Sequence, residues 1–338
     1  MREEQELAYQ MHDFCIEFFI SNALFVATKL NIADYLAIKP MTADDLAILT
    51  QSNSRSLYRL LRALASIEIF EEDHFKRFHL TPKANLLRES IPYGMKRSTI
   101  MFDGDEYTLW GKLMQALETG EQVSETLYGV PFWKHLKHNE NDFQNMRLSL
   151  KEHSIAFCSH IPQVYDFNQF EHIIDVGCND GTFMAFILAN AMSAKGTLFD
   201  EPHVIEEAKK HLAMCEKSIR ERCSFEAGNF LEAVPAGGDC YTLKSALVDW
   251  NEEDGVKIIS NIRKQMKPGC KLLIIQSVLP ELNKPHLGTQ IDLLYLLCDN
   301  GKERTEEEFK NILTKAGLKF SKIIQTGYPL FDIVEAFL

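Results

Sequence analysis

The chain has 338 residues, 46% of them hydrophobic and 25% charged. At roughly 150 residues per domain this makes about two domains, and the composition excludes disordered, collagen-like and low-complexity classes. With 36 basic and 48 acidic residues the formal charge is −12. That charge argues against general nucleic-acid binding and against docking on anionic membranes. No segment reaches the roughly 18 consecutive apolar residues of a membrane span. The acidic start, Met1 to Glu6, is unlike a secretory signal. The eight cysteines fall into no CxxC or zinc spacing. They read as reduced, mostly buried thiols in a cytoplasmic protein with no metal site.

Residues 7–38 read as apolar helices, first FCIEFFI and then ALFVATKLNIADYL, with Pro40 stopping the second. Thr42 to Asp45 has the form of a capping box opening a short helix. Ser52-Asn53-Ser54 caps a third helix, in which Leu57, Leu60, Leu61 and Leu64 recur at helical spacing. IEIFEE and KRFHLT follow as two strands around Asp73-His74. Three helices and a hairpin make the pattern of a winged helix. Arg55, Arg59 and Arg62 could face DNA, but the acidic surroundings and leucine content favour packing or dimerisation. The apolar residues of 7–38 exceed what so small a domain buries alone, which points to a second copy.

Residues 91–168 read as a helical region with aromatics at Phe102, Tyr107, Trp110, Phe132 and Trp133. From residue 169 strands and helices alternate. Strands are predicted at 172–177, 196–200, 224–228, 240–245 and 271–277, with amphipathic helices between them. KFSKIIQTG and FDIVEAFL end the chain as an antiparallel pair. Short apolar strands with helices between them imply a parallel sheet covered on both faces, with ligands at the carboxyl ends of the strands. The expected domains are thus 1–90, 91–168 and 169–338.

The first strand ends in Asp175-Val176-Gly177-Cys178-Asn179-Asp180-Gly181, a Gly-containing turn without the GxGxxG of dinucleotide sites. Asp175 and Asp180 would repel a pyrophosphate. They suit a cationic ligand such as S-adenosylmethionine (SAM), which carries an ammonium and a sulfonium. Asp200, ending the second strand, is placed to accept ribose hydroxyls. Asn229 and Phe230, after the third, could face an adenine.

The segments DVGCNDGTF, LFDEPHV, AGNFLEAVPAGGDCYTLKSALVDW, MKPGCKLLIIQSVLP and GKERTEEEF resemble the successive motifs of the small-molecule O-methyltransferases. That family includes caffeate, hydroxyindole and bacterial antibiotic methyltransferases and a phenazine N-methyltransferase. The resemblance implies an α/β chain of two parts. One is a SAM-methyltransferase Rossmann-like domain, with a seven-stranded, mostly parallel sheet and an antiparallel C-terminal hairpin. The other is a preceding winged-helix dimerisation domain. It also implies a homodimer and SAM contacts by Gly177, Asp200, Asn229, Phe230 and Lys244, with S-adenosylhomocysteine as product. The family usually has Asp at 229, often Met at 230, and more glycine in the first turn.

The plant phenol enzymes of the family use a His base oriented by two Glu. Here Val248 stands at the His position, Gln276 at one Glu position, and only Glu303 matches. Valine accepts no proton and glutamine is a very poor base, so that mechanism is not available. Three readings are open: an acceptor needing little deprotonation and methylated by proximity, another base such as His153, or a protein that binds SAM without transferring methyl. Leu150, His153, Trp250, Asp292 and Tyr295 are the expected acceptor contacts. Asp249 is expected to cap the helix opening at Glu252. Asp299 and Asn300 fall in a shortened loop with no clear counterpart. A SAM-sensing DNA-binding regulator is the rival of another class.

Overall fold

The structure, a computed structural model, describes residues 2–89, 91–101, 105–299, 301–328 and 330–338. Phe102 and Asn300 lie outside them. The described residues form two compact units, one of residues 1–108 with 144–152 and one of 109–143 with 153–338. The stretch expected as a helical connector is divided between them.

In the first unit the first apolar run and the start of the second, expected as separate helices, form one helix, α1 (Arg2–Lys29). No Gly or Pro interrupts residues 2–29, so nothing breaks the hydrogen-bond ladder. The break falls instead at Asn31, which adopts the left-handed conformation (φ 57°) before α2 (Ile32–Leu36). β1 (Met41–Thr42) leads into α3 (Ala43–Thr50), where Thr42 and Asp45 close the expected capping box. Asn53 caps α4 (Ser54–Ala65) by accepting from the Ser56 N–H. Leu57, Leu61 and Leu64 of α4 face the unit's core with Phe70 and Phe78. β2 (Phe70–Glu72) and β3 (Arg77–Leu80) pair antiparallel, and β1 joins β3 as a third strand. That strand is not predicted from the sequence, because two residues carry no readable alternation. Buried Lys96 ties the next helix (Lys96–Met101) to α2 through Asp34, at 2.7 Å. Along α1, Leu7, Tyr9, Met11, Phe14, Phe18 and Phe19 stay exposed.

The second unit holds seven main strands: β4 (His172–Val176), β5 (Lys195–Asp200), β6 (Cys223–Ala227), β7 (Cys240–Lys244), β8 (Lys271–Gln276), β11 (Lys319–Ile324) and β12 (Asp332–Phe337). Their order across the sheet is β11-β12-β8-β7-β4-β5-β6. β12 pairs antiparallel with β11 and β8, and the remaining pairs are parallel. A short parallel pair, β9 (Val278–Leu279) and β10 (Arg304–Thr305), lies apart from it. Alternate residues serve opposite faces. Ile173, Leu273, Ile275 and Ile333 enter one core cluster, and Ile174, Leu272, Ile274 and Val334 the other. Each such side chain is worth about 1.5–3 kcal/mol when fully buried, so both helix layers are held by one set of strands. After β4 the chain runs outward to β5 and β6, then returns to β7 on the other side. That reversal gathers the carboxyl ends of β4, β5, β6 and β7 around one crevice.

Candidate functional site

The turn after β4 is built from backbone that favours glycine. Gly177 (φ 77°) and Gly181 (φ 79°) are left-handed, as is Asn179 (φ 49°). A Cβ on Gly181 would overlap Leu198 and lie 2.8 Å from Leu212, so this glycine lets the following helix (Thr182–Asn190) seat on the sheet. A Cβ on Gly177 would lie 3.0 Å from the Ala246 Cβ and 3.9 Å from the Phe230 ring. The space beside that backbone is thus shared by Gly177, Phe230 and the loop after β7.

Asp200 ends β5 at the same crevice. The Asn179 N–H donates to its Oδ2 (3.0 Å) and the Glu201 N–H to its Oδ1 (2.8 Å). Each oxygen keeps a second lone pair, so the carboxylate can still accept ligand hydroxyls. Burial pushes it up to about 6, against the pull of those two N–H groups. Asp175 is placed differently. It is 1% exposed and accepts from the Thr242 hydroxyl at 2.7 Å, as the β4–β7 register dictates. Burial raises it to about 6 as well, while Thr242 and the Lys244 charge oppose the rise.

Asn229 is exposed, and its Oδ1 accepts from the Leu231 N–H (2.9 Å), fixing the turn after β6. Phe230 meets Trp250 edge to face, with centroids 5.6 Å apart. Gly177, Phe230 and Trp250 are therefore brought together. The Lys244 ammonium lies 5.8 Å from the Phe331 ring centroid, and its charge reaches Asp175, His153 and Cys158. The sequence predicts Cys158 as a buried thiol and Phe331 at the start of a strand, but gives no sign that either lies beside Lys244.

His153 ends the helix Glu140–His153, where the chain widens into a π-helical turn (Ser154–Cys158). Burial, then the Lys244 charge, pulls its imidazole down to about 4. That setting opposes the imidazolium a general base must become. Leu150, on the same helix, is partly buried and belongs to the first unit.

The positions of the absent His and its two partners do converge. Val248 is 2% exposed, Gln276 1% and Glu303 4%, and the Gln276 Nε2 donates to Glu303 at 2.8 Å. Burial raises Glu303 to about 8, with Asp292 adding to the rise and Gln276 and Arg304 opposing it. Asp292, on the helix Leu287–Cys298, accepts from the Glu303 N–H (2.7 Å), and Tyr295 is partly buried one turn on. Asp249 does not cap the following helix. Asn251 immediately precedes that helix and accepts from the Asp254 N–H (2.9 Å), which leaves Asp249 in the loop.

Two loops meet here. A Cβ on Gly301 would overlap the Val248 carbonyl oxygen, and the Lys302 N–H donates to that oxygen at 2.9 Å. Arg304, fully buried, donates to the carbonyls of Leu247 (3.2 Å), Lys302 (3.2 Å) and Trp250 (3.1 Å). Neither Gly301 nor Arg304 is predicted from the sequence as a builder of the site. The run Gly-Lys-Glu-Arg was the available hint.

The crevice offers a carboxylate with free lone pairs, a glycine turn and an aromatic wall. These fit the ribose and adenine of SAM, whose sulfonium methyl is the group transferred. Residues 110–319 match the O-methyltransferase domain, and residues 13–90 the O-methyltransferase dimerisation domain. The phenazine O-methyltransferase PhzM of Lysobacter antibioticus is 35% identical over 322 residues, covering 94% of this chain and 93% of that protein. The crystal structure of LaPhzM superposes with a TM-score of 0.92 at 33% identity, over 98% of each chain. The S-adenosylhomocysteine-bound form of CalO1, a methyltransferase in calicheamicin biosynthesis, superposes with a TM-score of 0.85 at 26% identity, over 98% of each chain. Dimerisation module, strand-end carboxylate and whole-chain likeness agree: the chain belongs to the O-methyltransferase family and is a SAM-dependent methyltransferase.

Proposed function

We propose that this enzyme moves the SAM methyl group to an oxygen or nitrogen of a small aromatic metabolite, acting as a cytoplasmic homodimer without nucleic acid. Gly177, Asp200, Asn229, Phe230 and Lys244 hold the donor, and Asp175 sets the shape and charge of the turn from below. Trp250, Asp292 and Tyr295 border the acceptor. The observation that carries the reading is Asp200 at the strand end, both oxygens oriented by backbone N–H groups and both able to accept more. The substrate class is supported by the relatives' names, which include a phenazine O-methyltransferase, a 3-amino-4-hydroxybenzoate 4-O-methyltransferase and a phenazine-1-carboxylate N-methyltransferase.

Transfer is a direct in-line displacement. Holding donor and acceptor in contact supplies up to about 7–11 kcal/mol of the barrier in favourable cases. Val248 contributes no proton acceptor, and His153 in its buried setting is a weak one.

The test is incubation with methyl-labelled SAM and a panel of 1-hydroxyphenazine, 3-amino-4-hydroxybenzoate and phenazine-1-carboxylate, followed by chromatography. Label in a small-molecule product supports the reading. SAM bound by calorimetry with no label moved, either to the panel or to a cell extract, would establish a silent SAM-binding scaffold instead.

A further inference from the structure

An aromatic hydroxyl that arrives with its proton needs a group to take it, and the imidazole position is filled by Val248. We propose that a carboxyl pair, Asp249 and Asp299, takes the acceptor's proton in place of that imidazole. The inference rests on the methyl-transfer reading of the same site.

The geometry begins with the backbone. Gly301 lets the loop after the helix Leu287–Cys298 press against Val248 and Asp249, where a Cβ would lie 3.0 Å from the Asp249 Cα. The Lys302–Val248 hydrogen bond and the Arg304 contacts to Leu247 and Trp250 hold the two loops there. Asp299 is two residues before Gly301, and its carboxyl and that of Glu303 both act electrostatically on Asp249. Asp249 and Asp299 are partly exposed, whereas Glu303 and Gln276 are buried.

A separate observation points to a ligand. Gln276 is 1% exposed and its Nε2 is fixed on Glu303, yet among the described residues its Oε1 has no hydrogen-bond partner. A buried acceptor left open beside the Glu303 carboxyl calls for a donor, which an aromatic O–H or N–H supplies.

The charges facing the pair set its protonation. Glu303 comes from the same loop as Asp299, and Asp292 from the preceding helix. Lys302 is turned to Glu308 at 2.8 Å, and the Arg304 guanidinium donates to three backbone carbonyls while its charge acts on Glu303 and Asp292. Burial lifts Asp299 to about 7, and burial with the Asp299 and Glu303 charges raises Asp249 well above the ordinary range. Asp249 thus keeps its proton near neutrality, while Asp299 can exist there as a carboxylate that accepts one.

In the step, a lone pair of the acceptor oxygen forms the new O–C bond as the C–S bond breaks. The C–S electrons remain on sulfur, which becomes a neutral thioether. The hydroxyl proton passes to the Asp299 carboxylate and then to water.

The experiment measures kcat against pH with 1-hydroxyphenazine for the wild type, Asp299→Asn, Asp299→Glu and Asp249→Asn, with SAM affinity followed by calorimetry. The wild type should show a limb near neutral pH. D299N should lose that limb and about 10²-fold or more in kcat, the usual worth of a general base, with SAM affinity kept. D299E should restore part of both. D249N should leave the limb near neutral pH, because Asp249 already holds its proton there and burial lifts Asp299; loss of the limb in D249N would overturn the assignment to Asp299. A D299N enzyme with wild-type rate and limb overturns the proposal and leaves the methyl-transfer reading standing. Infrared titration of the wild type and D299N, without acceptor, gives a readout independent of turnover. A protonated carboxyl band that titrates near pH 7 and vanishes in D299N supports the pair, and its absence overturns it even if no acceptor in the panel is methylated.

Discussion

Replacing Gly301 by alanine tests whether the contact between the two loops shapes the site. The added Cβ would overlap the Val248 carbonyl oxygen and lie 2.9 Å from the Val248 carbonyl carbon. An ordinary carbon–carbon contact is about 3.5–4.0 Å, so the loops must part by roughly 1 Å. Both sides of the clash are backbone, and no side chain can rotate away. Overpacking costs about 1–3 kcal/mol, and loss of the Lys302–Val248 hydrogen bond adds about 0.5–1.5 kcal/mol. The expected destabilisation is about 2–4 kcal/mol, a fall in Tm of roughly 5–15 °C by calorimetry. A shift of this size beside the acceptor should also lower kcat by about 10²-fold. SAM affinity should fall less than kcat, because Asp200 lies at another strand end although Gly177 and Phe230 pack near the displaced loop. Wild-type Tm and kcat in G301A would refute the close approach, and with it the placement of Asp299 beside Asp249.

SAM affinity should weaken as pH falls through about 6, because the carboxylate form of Asp200 is the one that accepts two hydroxyls. The sign follows from a raised carboxyl: protonation favours the folded, unliganded chain, and that contribution is lost as pH rises through about 6. Calorimetric Kd values from pH 5 to 8 check this, and Asp200→Asn should flatten the dependence while weakening binding. The His153 ring should show no NMR titration between pH 5 and 8, since burial and Lys244 hold it near 4; a titration near 6.5 would contradict that setting. Arg304→Met removes a fully buried cation that serves three carbonyls, and should cost about 3–5 kcal/mol in denaturant unfolding. Phe14→Glu with Phe18→Glu puts charge on the exposed apolar surface of α1 and should yield monomers in analytical ultracentrifugation.

Much of this architecture was readable in the residues themselves. Strand limits in the second unit came within a few residues. Apolar runs bounded by Gly, Pro and Asp leave little freedom in where a buried strand starts and stops. The capping boxes at Thr42 and Thr305 are local chemistry, and the sequence reading had found the first of them directly. The place of Asp200, Gly177 and Phe230 at strand ends was legible because a parallel sheet must present those ends to one crevice. What the residues alone left undecided depends on segments far apart in the chain. Whether α1 breaks once or not at all was settled by the absence of any breaker and by Asn31, not by the spacing of apolar runs. Asp249 read as a helix cap until Asn251 took that place. The meeting of Val248 with Gly301, of Leu247 and Trp250 with Arg304, and of Gln276 with Glu303 spans tens of residues each. No local pattern encodes such contacts. Sequence motifs could name the donor of the methyl group, because the turn after β4 and the resemblance to the O-methyltransferases both point to it. Only the packing of two distant loops decided which carboxyl groups lie where an imidazole is missing, since burial and mutual charge are properties of the folded chain.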